Sequence, residues 1–347
     1  MYGENSPNNG GGCRTEILQE GKGMNTILYY LLYGFSFLIS ILPYRALYAF
    51  SDIVIYPILY KMVAYRRKVV RENLRNSFPE KSEKERREIE RKFYHFFCDY
   101  ILETLKLLTI SKETLMRRMV MKGLDKIYDA FQTNKMVFVY LGHFCNWEYI
   151  ASLQWWMAED VQCAQIYSAL RNPAFNKLFL KIRSRFGGIN IEKNHSLRVI
   201  MEQKQKEQKT VVGFIADQGP RWVNIHLFVN FLHQDTAVFT GTERIARKVN
   251  AAVFVAHVCR PKRGYYECNF ELLSKNVRMD TNENELTRLY MQDLEKQIQK
   301  YPHLWLWSHK RWRRKRTDDD IPEEWKATVK DGQLISDTPI YTPTENP

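Results

Sequence analysis

Three short apolar runs, at residues 136–141, 211–215 and 252–258, constrain the fold more than any other feature of this chain. Each is nearly unbroken in hydrophobic residues and too short for a helix buried all round, which predicts strands covered on both faces. Helical periodicity lies between them, around residues 175–185 and 196–205. A long helix is expected over 82–108, where the Ser-Glu-Lys-Glu start forms a capping box and Phe93, Phe96, Phe97, Tyr100 and Ile101 supply an apolar face. Strands alternating with helices predict an α/β fold, whose functional residues sit in loops beyond the carboxyl ends of strands. His143 follows the first run by two residues, and Asp217 follows the second. The 347 residues accommodate one main domain, expected over 66–316 with a helical N-terminal extension, and no internal repeat is present.

The N-terminal region has a different chemistry. Residues 27–44 carry no charged side chain and are just long enough to cross or deeply enter a bilayer core of about 30 Å. Pro43 should end or kink that helix. Residues 46–64 carry only Asp52 and Lys61 among aliphatics and tyrosines, a composition suited to the headgroup region. The expectation is a membrane anchor over 24–65, one membrane helix plus one interfacial helix; a pair of buried helices in a soluble bundle is the alternative. Arg66, Arg67, Lys68, Arg71 and Arg75 follow, and the positive-inside rule then puts the main domain in the cytoplasm. Residues 1–23 and 317–347 are expected to be disordered tails, with Met24 a possible native start.

Lysine and arginine outnumber aspartate and glutamate by 52 to 39, so the surface should attract anions: nucleic acid, phosphorylated headgroups or an acidic carrier protein. The negative mean hydropathy excludes a polytopic membrane protein. The six cysteines show no zinc spacing and are expected as free thiols, with Cys145 a packed thiol rather than a nucleophile.

The candidate chemistry lies in LGHFCNWE, residues 141–148. Five residues of separation put two side chains roughly 140° apart on a regular helix, so His143 must lie outside it. Asn146 offers an N-cap that places Glu148 in the first turn, and the loop can fold back to bring imidazole and carboxylate together. A carboxylate on one ring nitrogen fixes the tautomer while the other nitrogen takes a proton from a hydroxyl. His143 is therefore expected as a base oriented by Glu148. On spacing alone, H-x-x-x-x-E is a weak motif.

These residues closely resemble the motif of the bacterial lipid A biosynthesis (late, lauroyl/myristoyl-type) acyltransferases. Further blocks follow in that family's order: RRKVVRENLRNSFP at 66–79, Arg171-Asn-Pro with Asn176, Asp217-Gln218, Phe239-Thr-Gly241 with Ala246-Arg247, and WLWSHKRW at 305–312. Two departures stand out. Asn172 separates Arg171 from the proline, and residues 231–234 lack the family's Phe-Phe-Gly. The resemblance spans about residues 27–315.

The resemblance implies a mixed central sheet flanked by helices, glycerolipid-acyltransferase-like, and transfer of a fatty acyl group from an acyl carrier protein thioester to a hydroxyl of a phosphorylated glucosamine lipid. The setting it implies is the inner face of the cytoplasmic membrane, with no metal and no nucleotide cofactor. His143 would be the base and Glu148 its partner, with Arg171 and Arg311 as cations for phosphate or oxyanion and Asp217 positioning an arginine or the acceptor. The basic run 309–316, following Trp305 and Trp307, is expected at the membrane interface, facing anionic lipid or the carrier; no nucleic-acid fold accompanies it. Alternatives are the same chemistry on a glycerolipid or amino-acid lipid, or a non-catalytic anionic-membrane or nucleic-acid binder.

Overall fold

The computed structural model describes residues 12–315, with the backbone alone over 12–23, and two short paired strands, Val329–Lys330 and Gln333–Leu334. Nine strands precede that pair: β1 (Met119–Lys122), β2 (Met136–Leu141), β3 (Val161–Tyr167), β4 (Ile189–Glu192), β5 (Lys209–Ile215), β6 (Phe228–Phe231), β7 (Gln234–Ala237), β8 (Ala252–Lys262) and β9 (Tyr265–Ser274). Seven form one sheet in the order β1-β9-β8-β2-β5-β3-β4, while β6 and β7 make a separate antiparallel ladder. Strands β8, β2, β5, β3 and β4 run parallel; β9 is antiparallel to β8, and β1 is parallel to β9. The fold is thus α/β, as the alternation of apolar runs and helical periods predicts, and its central sheet is mixed, as the resemblance implies. All six residues of β2 are buried, and β2 and β5 lie side by side in the sheet's interior, where strands covered on both faces must be apolar throughout.

The connections from β2 and β5 leave toward opposite edges of the sheet, to β3 and β8 respectively. Their carboxyl ends therefore border a crevice of the kind in which open α/β sheets bind ligands. Helices Pro173–Ser184, Ser196–Gln205 and Gly241–Val249 complete the connections between strands. The helix predicted over 82–108 spans Glu83–Lys106, and Ser82 and Glu85 form the reciprocal capping box at its start.

The first helix runs Gly12–Ile41, so it begins inside the stretch expected as a tail; residues 1–11 lie outside the described residues, as does most of the expected C-terminal tail. It ends just before Pro43, which starts the short helix Tyr44–Phe50, followed by wider π-type turns at Ser51–Ile55 and Pro57–Met62. Within it, Met24–Ile41 is long and apolar enough to cross a membrane, and only 17% of that window is buried. Ile27, Leu31, Phe35 and Leu38 are largely exposed, which distinguishes the segment from a buried core helix. One side of this helix packs on Pro173–Ser184 and on Glu83–Lys106, with Lys177 Nζ 4.2 Å from the Tyr29 ring centroid. Asp52, one of two charges in 46–64, is paired with Arg263 at 2.7 Å.

The tryptophan-rich block lies inside the protein. Trp305, Trp307 and Trp312 are core residues at 2%, 0% and 9% exposure; of the basic run expected at the membrane interface, Arg311 is buried with them, while Lys310, Arg313 and Lys315 are exposed. Trp305 sits edge-on to Trp307 with ring centroids 4.7 Å apart. Two polar anchors hold the block: Asn73 Nδ2 donates to the carbonyls of Trp307 (2.8 Å) and His309 (2.9 Å), and Arg66 donates to that of Ser308 (3.0 Å). Indoles with satisfied N–H groups pack in an interior as readily as at a headgroup boundary.

Candidate active site

The site begins with strand register. Leu141 of β2 lies opposite Ile215 of β5, so the second residue past each strand, His143 and Asp217, emerges at the same level. Asp217 Oδ1 accepts from His143 Nδ1 at 2.6 Å, and Oδ2 accepts from the His143 backbone N–H at 2.9 Å and the Trp305 indole N–H at 2.8 Å. Asp217 is 1% exposed. Burial alone would raise its pKa, but the His143 charge and the His143 and Trp305 hydrogen bonds outweigh it and hold the carboxyl down at about 2. An ionised acceptor on Nδ1 makes that nitrogen the donor and leaves Nε2 as the basic atom. Gly142 lies in close approach: a Cβ there would stand 2.8 Å from Leu294 Cδ1 and 3.3 Å from Asp217 Oδ2.

Asp217, not Glu148, thus orients His143. Asn146 does cap the short helix Trp147–Ile150, accepting from the Tyr149 N–H at 3.2 Å, and Glu148 does sit in its first turn. The loop does not fold back, because its backbone is pinned elsewhere: Cys145 N–H donates to Leu304 O (2.8 Å) and Leu306 N–H to His143 O (3.1 Å). Glu148 instead takes Arg183 of the Pro173–Ser184 helix in a two-pronged pair, Nε to Oε2 at 2.9 Å and Nη2 to Oε1 at 2.5 Å. Such paired geometry fixes a guanidinium firmly. Cys145 is fully buried, and burial pushes its thiol well up; with Cys98, Cys163, Cys259 and Cys268 it is free, in keeping with a packed thiol.

His143, Glu148 and Arg183 border a cavity of about 760 Å³, toward the upper part of the roughly 300–1,000 Å³ usual for small-ligand sites. Its walls come from the sheet (Val139, Leu141, Ile166, Val211) and from helices and loops (Leu153, Phe179, Leu180, Phe239); Lys193, Gln218, Arg221 and Asn224 add polar groups. Gln218 Nε2 lies 3.2 Å from His143 Nε2.

The two other expected cations sit outside this lining. Arg171 is exposed, in the bend before Asn172, which caps the Pro173–Ser184 helix at the Ala174 and Phe175 N–H groups. Arg311 is 3% exposed and donates to Ala237 O at 2.8 Å, while its Nε has no partner. Burial pushes its pKa down to about 10, with Asp217 and Tyr290 acting the other way. Arg183, Trp305 and Tyr290, whose hydroxyl donates to Leu141 O at 2.8 Å, were not expected at the site. The signals available were the place of Arg183 in a predicted helix and the tryptophans of the 305–312 block.

The chain is 20% identical over 251 residues to a lipid A biosynthesis acyltransferase of Haemophilus influenzae, covering 72% of this chain and 76% of that protein. The sequence model of the bacterial lipid A biosynthesis acyltransferases matches residues 19–314, and the chain belongs to that family.

Proposed function

We propose that this protein transfers a fatty acyl chain from an acyl carrier protein thioester to a hydroxyl of a phosphorylated glucosamine lipid, a lipid A precursor, at the cytoplasmic face of the inner membrane. The observation that carries the reading is an imidazole fixed at Nδ1 by Asp217 beside a largely apolar cavity. His143 Nε2 removes the proton of the acceptor hydroxyl as its oxygen attacks the thioester carbon. The C–O bond forms, the C–S bond breaks, and the departing thiolate recovers the proton from the imidazolium. Asp217 stabilises that imidazolium without taking the proton.

Glu148 has a different role in this mechanism: it holds Arg183 at the cavity wall, a fixed cation for the anionic parts of donor or acceptor. Gln218, within reach of His143, is a donor for the carbonyl oxygen as charge develops. The apolar walls receive the acyl chain, and the exposed face of Met24–Ile41 anchors the protein in the bilayer.

The test is acyl transfer by the purified full chain in phospholipid micelles, with acyl carrier protein thioester and the lipid acceptor, read by mass spectrometry. Wild type should add one acyl mass and His143→Ala should not. Equal transfer by the variant would overturn the mechanism. An unchanged lipid A profile in cells lacking the protein would overturn the acceptor.

A further inference from the structure

A buried carboxylate that the mechanism above does not use lies next to the catalytic loop. Glu103, on the Glu83–Lys106 helix, is 0% exposed and has no ion-pair partner among the described residues. It is satisfied by neutral donors: the Tyr48 hydroxyl on Oε1 at 2.7 Å, and the Tyr266 hydroxyl (2.5 Å) and Asn146 Nδ2 (2.7 Å) on Oε2. Asn146 is the residue whose Oδ1 caps the helix bearing Glu148. Its amide has two ends, and only one orientation serves both contacts: flipped, it would point oxygen at carboxylate and nitrogen at the Tyr149 N–H. Glu103 and the Tyr149 N–H therefore select the same orientation of the cap, and Glu103 holds it from the far side. The preceding residue, Cys145, holds φ +56°, a left-handed conformation that a non-glycine residue keeps only where its surroundings impose it.

The same loop is gripped from the N-terminal side. Tyr48 belongs to the Tyr44–Met62 segment that follows Pro43, and from that segment Tyr44 also meets Tyr149, hydroxyl to hydroxyl at 2.9 Å. Two phenols thus run from this segment to the helix carrying Glu148, one directly and one through Glu103 and Asn146. We propose that Glu103 is a positioning residue for the catalytic loop, and that Tyr44 and Tyr48 tie the loop's order to docking of the Tyr44–Met62 segment on the domain. Only the kinetic arm of its test rests on the acyltransferase reading.

The experiment is hydrogen exchange of the Tyr149 amide in the full chain in micelles, compared across Glu103→Gln, Glu103→Met and the double variant Tyr44→Phe/Tyr48→Phe. Glu103→Met should speed Tyr149 exchange by about tenfold, the value of one lost buried hydrogen bond, with β2 and β5 protection unchanged. Glu103→Gln keeps an acceptor for Asn146 and should stay close to wild type. In acyl transfer, Glu103→Met should lower kcat by about tenfold with KM for both substrates unchanged, and Glu103→Gln should restore it. Wild-type Tyr149 exchange in Glu103→Met, or equal damage in both Glu103 variants, would overturn the proposal. Should Glu103→Met not fold, the double tyrosine variant decides: faster Tyr149 exchange supports the proposal, and wild-type exchange overturns it. A wild type that transfers no acyl group sinks the acyltransferase reading and leaves the exchange result standing.

Discussion

Two acid–base pairs flank the cavity, and they are built by opposite means. His143 and Asp217 stand at matched levels past parallel neighbours β2 and β5, so sheet register makes the pair, and an indole and a backbone N–H complete the carboxylate's shell. Glu148 and Arg183 come from two helices and rely on each other. The first pair contains an imidazole, whose ring nitrogens can both donate and accept; the second contains a guanidinium, which donates only and keeps its charge. In the proposed mechanism the site thus separates proton transfer from charge placement, and substitutions should separate them too.

The largest effect is expected at His143. Removing the base should lower kcat by roughly 10²–10⁴-fold, with a wild-type unfolding midpoint, measured by single-turnover transfer and calorimetry. Asp217→Asn comes next: it keeps shape but no longer favours the Nδ1–H tautomer, and kcat should fall on the order of 10²–10³-fold. If Glu148→Gln proved more damaging to the pH dependence of kcat than Asp217→Asn, the division between the pairs would collapse.

For the second pair, the expected loss is in stability and substrate affinity. Glu148→Gln or Arg183→Met alone leaves a charge facing a buried site and should cost about 3–5 kcal/mol. The double variant should cost less than the two singles together, as a double-mutant cycle by denaturant unfolding would reveal. Acid stability sharpens the contrast further. Because Asp217 is held at about 2, below the ordinary aspartate value of about 3.9, its stabilisation is complete above about pH 4. It is lost as pH falls toward 2, amounting to about 2–3 kcal/mol. Asp217→Asn should flatten that part of a stability-versus-pH curve. Smallest of all, Arg171→Ala should change stability by under about 0.5 kcal/mol, because the side chain is exposed and outside the cavity lining. A larger KM for the acceptor would draw Arg171 into the site.

How much of this is legible in the chain follows from range. β2, the Ser82 capping box, the Asn146 cap and the break at Pro43 depend on neighbours within a few positions, and the sequence expresses them directly. β4 sits at a sheet edge, and its Ile-Asn-Ile-Glu alternation spans only four residues, too short to stand out from the surrounding chain. The partner of His143 is illegible for another reason. Glu148 is five residues away and Asp217 seventy-four, and only strand order decides which carboxylate arrives. Both residues nevertheless sit two past the end of a buried run, a pattern that could have suggested the pairing. The tryptophans beside the basic run were ambiguous because Trp has the same profile at a membrane boundary and in a core with acceptors for its N–H.

One contact described for the N-terminal helix bears on how the reaction would be measured. That helix, with its exposed apolar face, leans on Pro173–Ser184, and the same helix supplies Phe179, Leu180 and Arg183 to the cavity wall. If, as proposed, the apolar face lies in lipid and the acceptor is itself a lipid, enzyme and acceptor share one surface. Rates would then follow the mole fraction of acceptor in the bilayer rather than its bulk concentration. Diluting acceptor with inert phospholipid would slow transfer at constant total acceptor, while diluting the vesicles with buffer at a fixed concentration of acyl carrier protein thioester would leave the rate per enzyme unchanged.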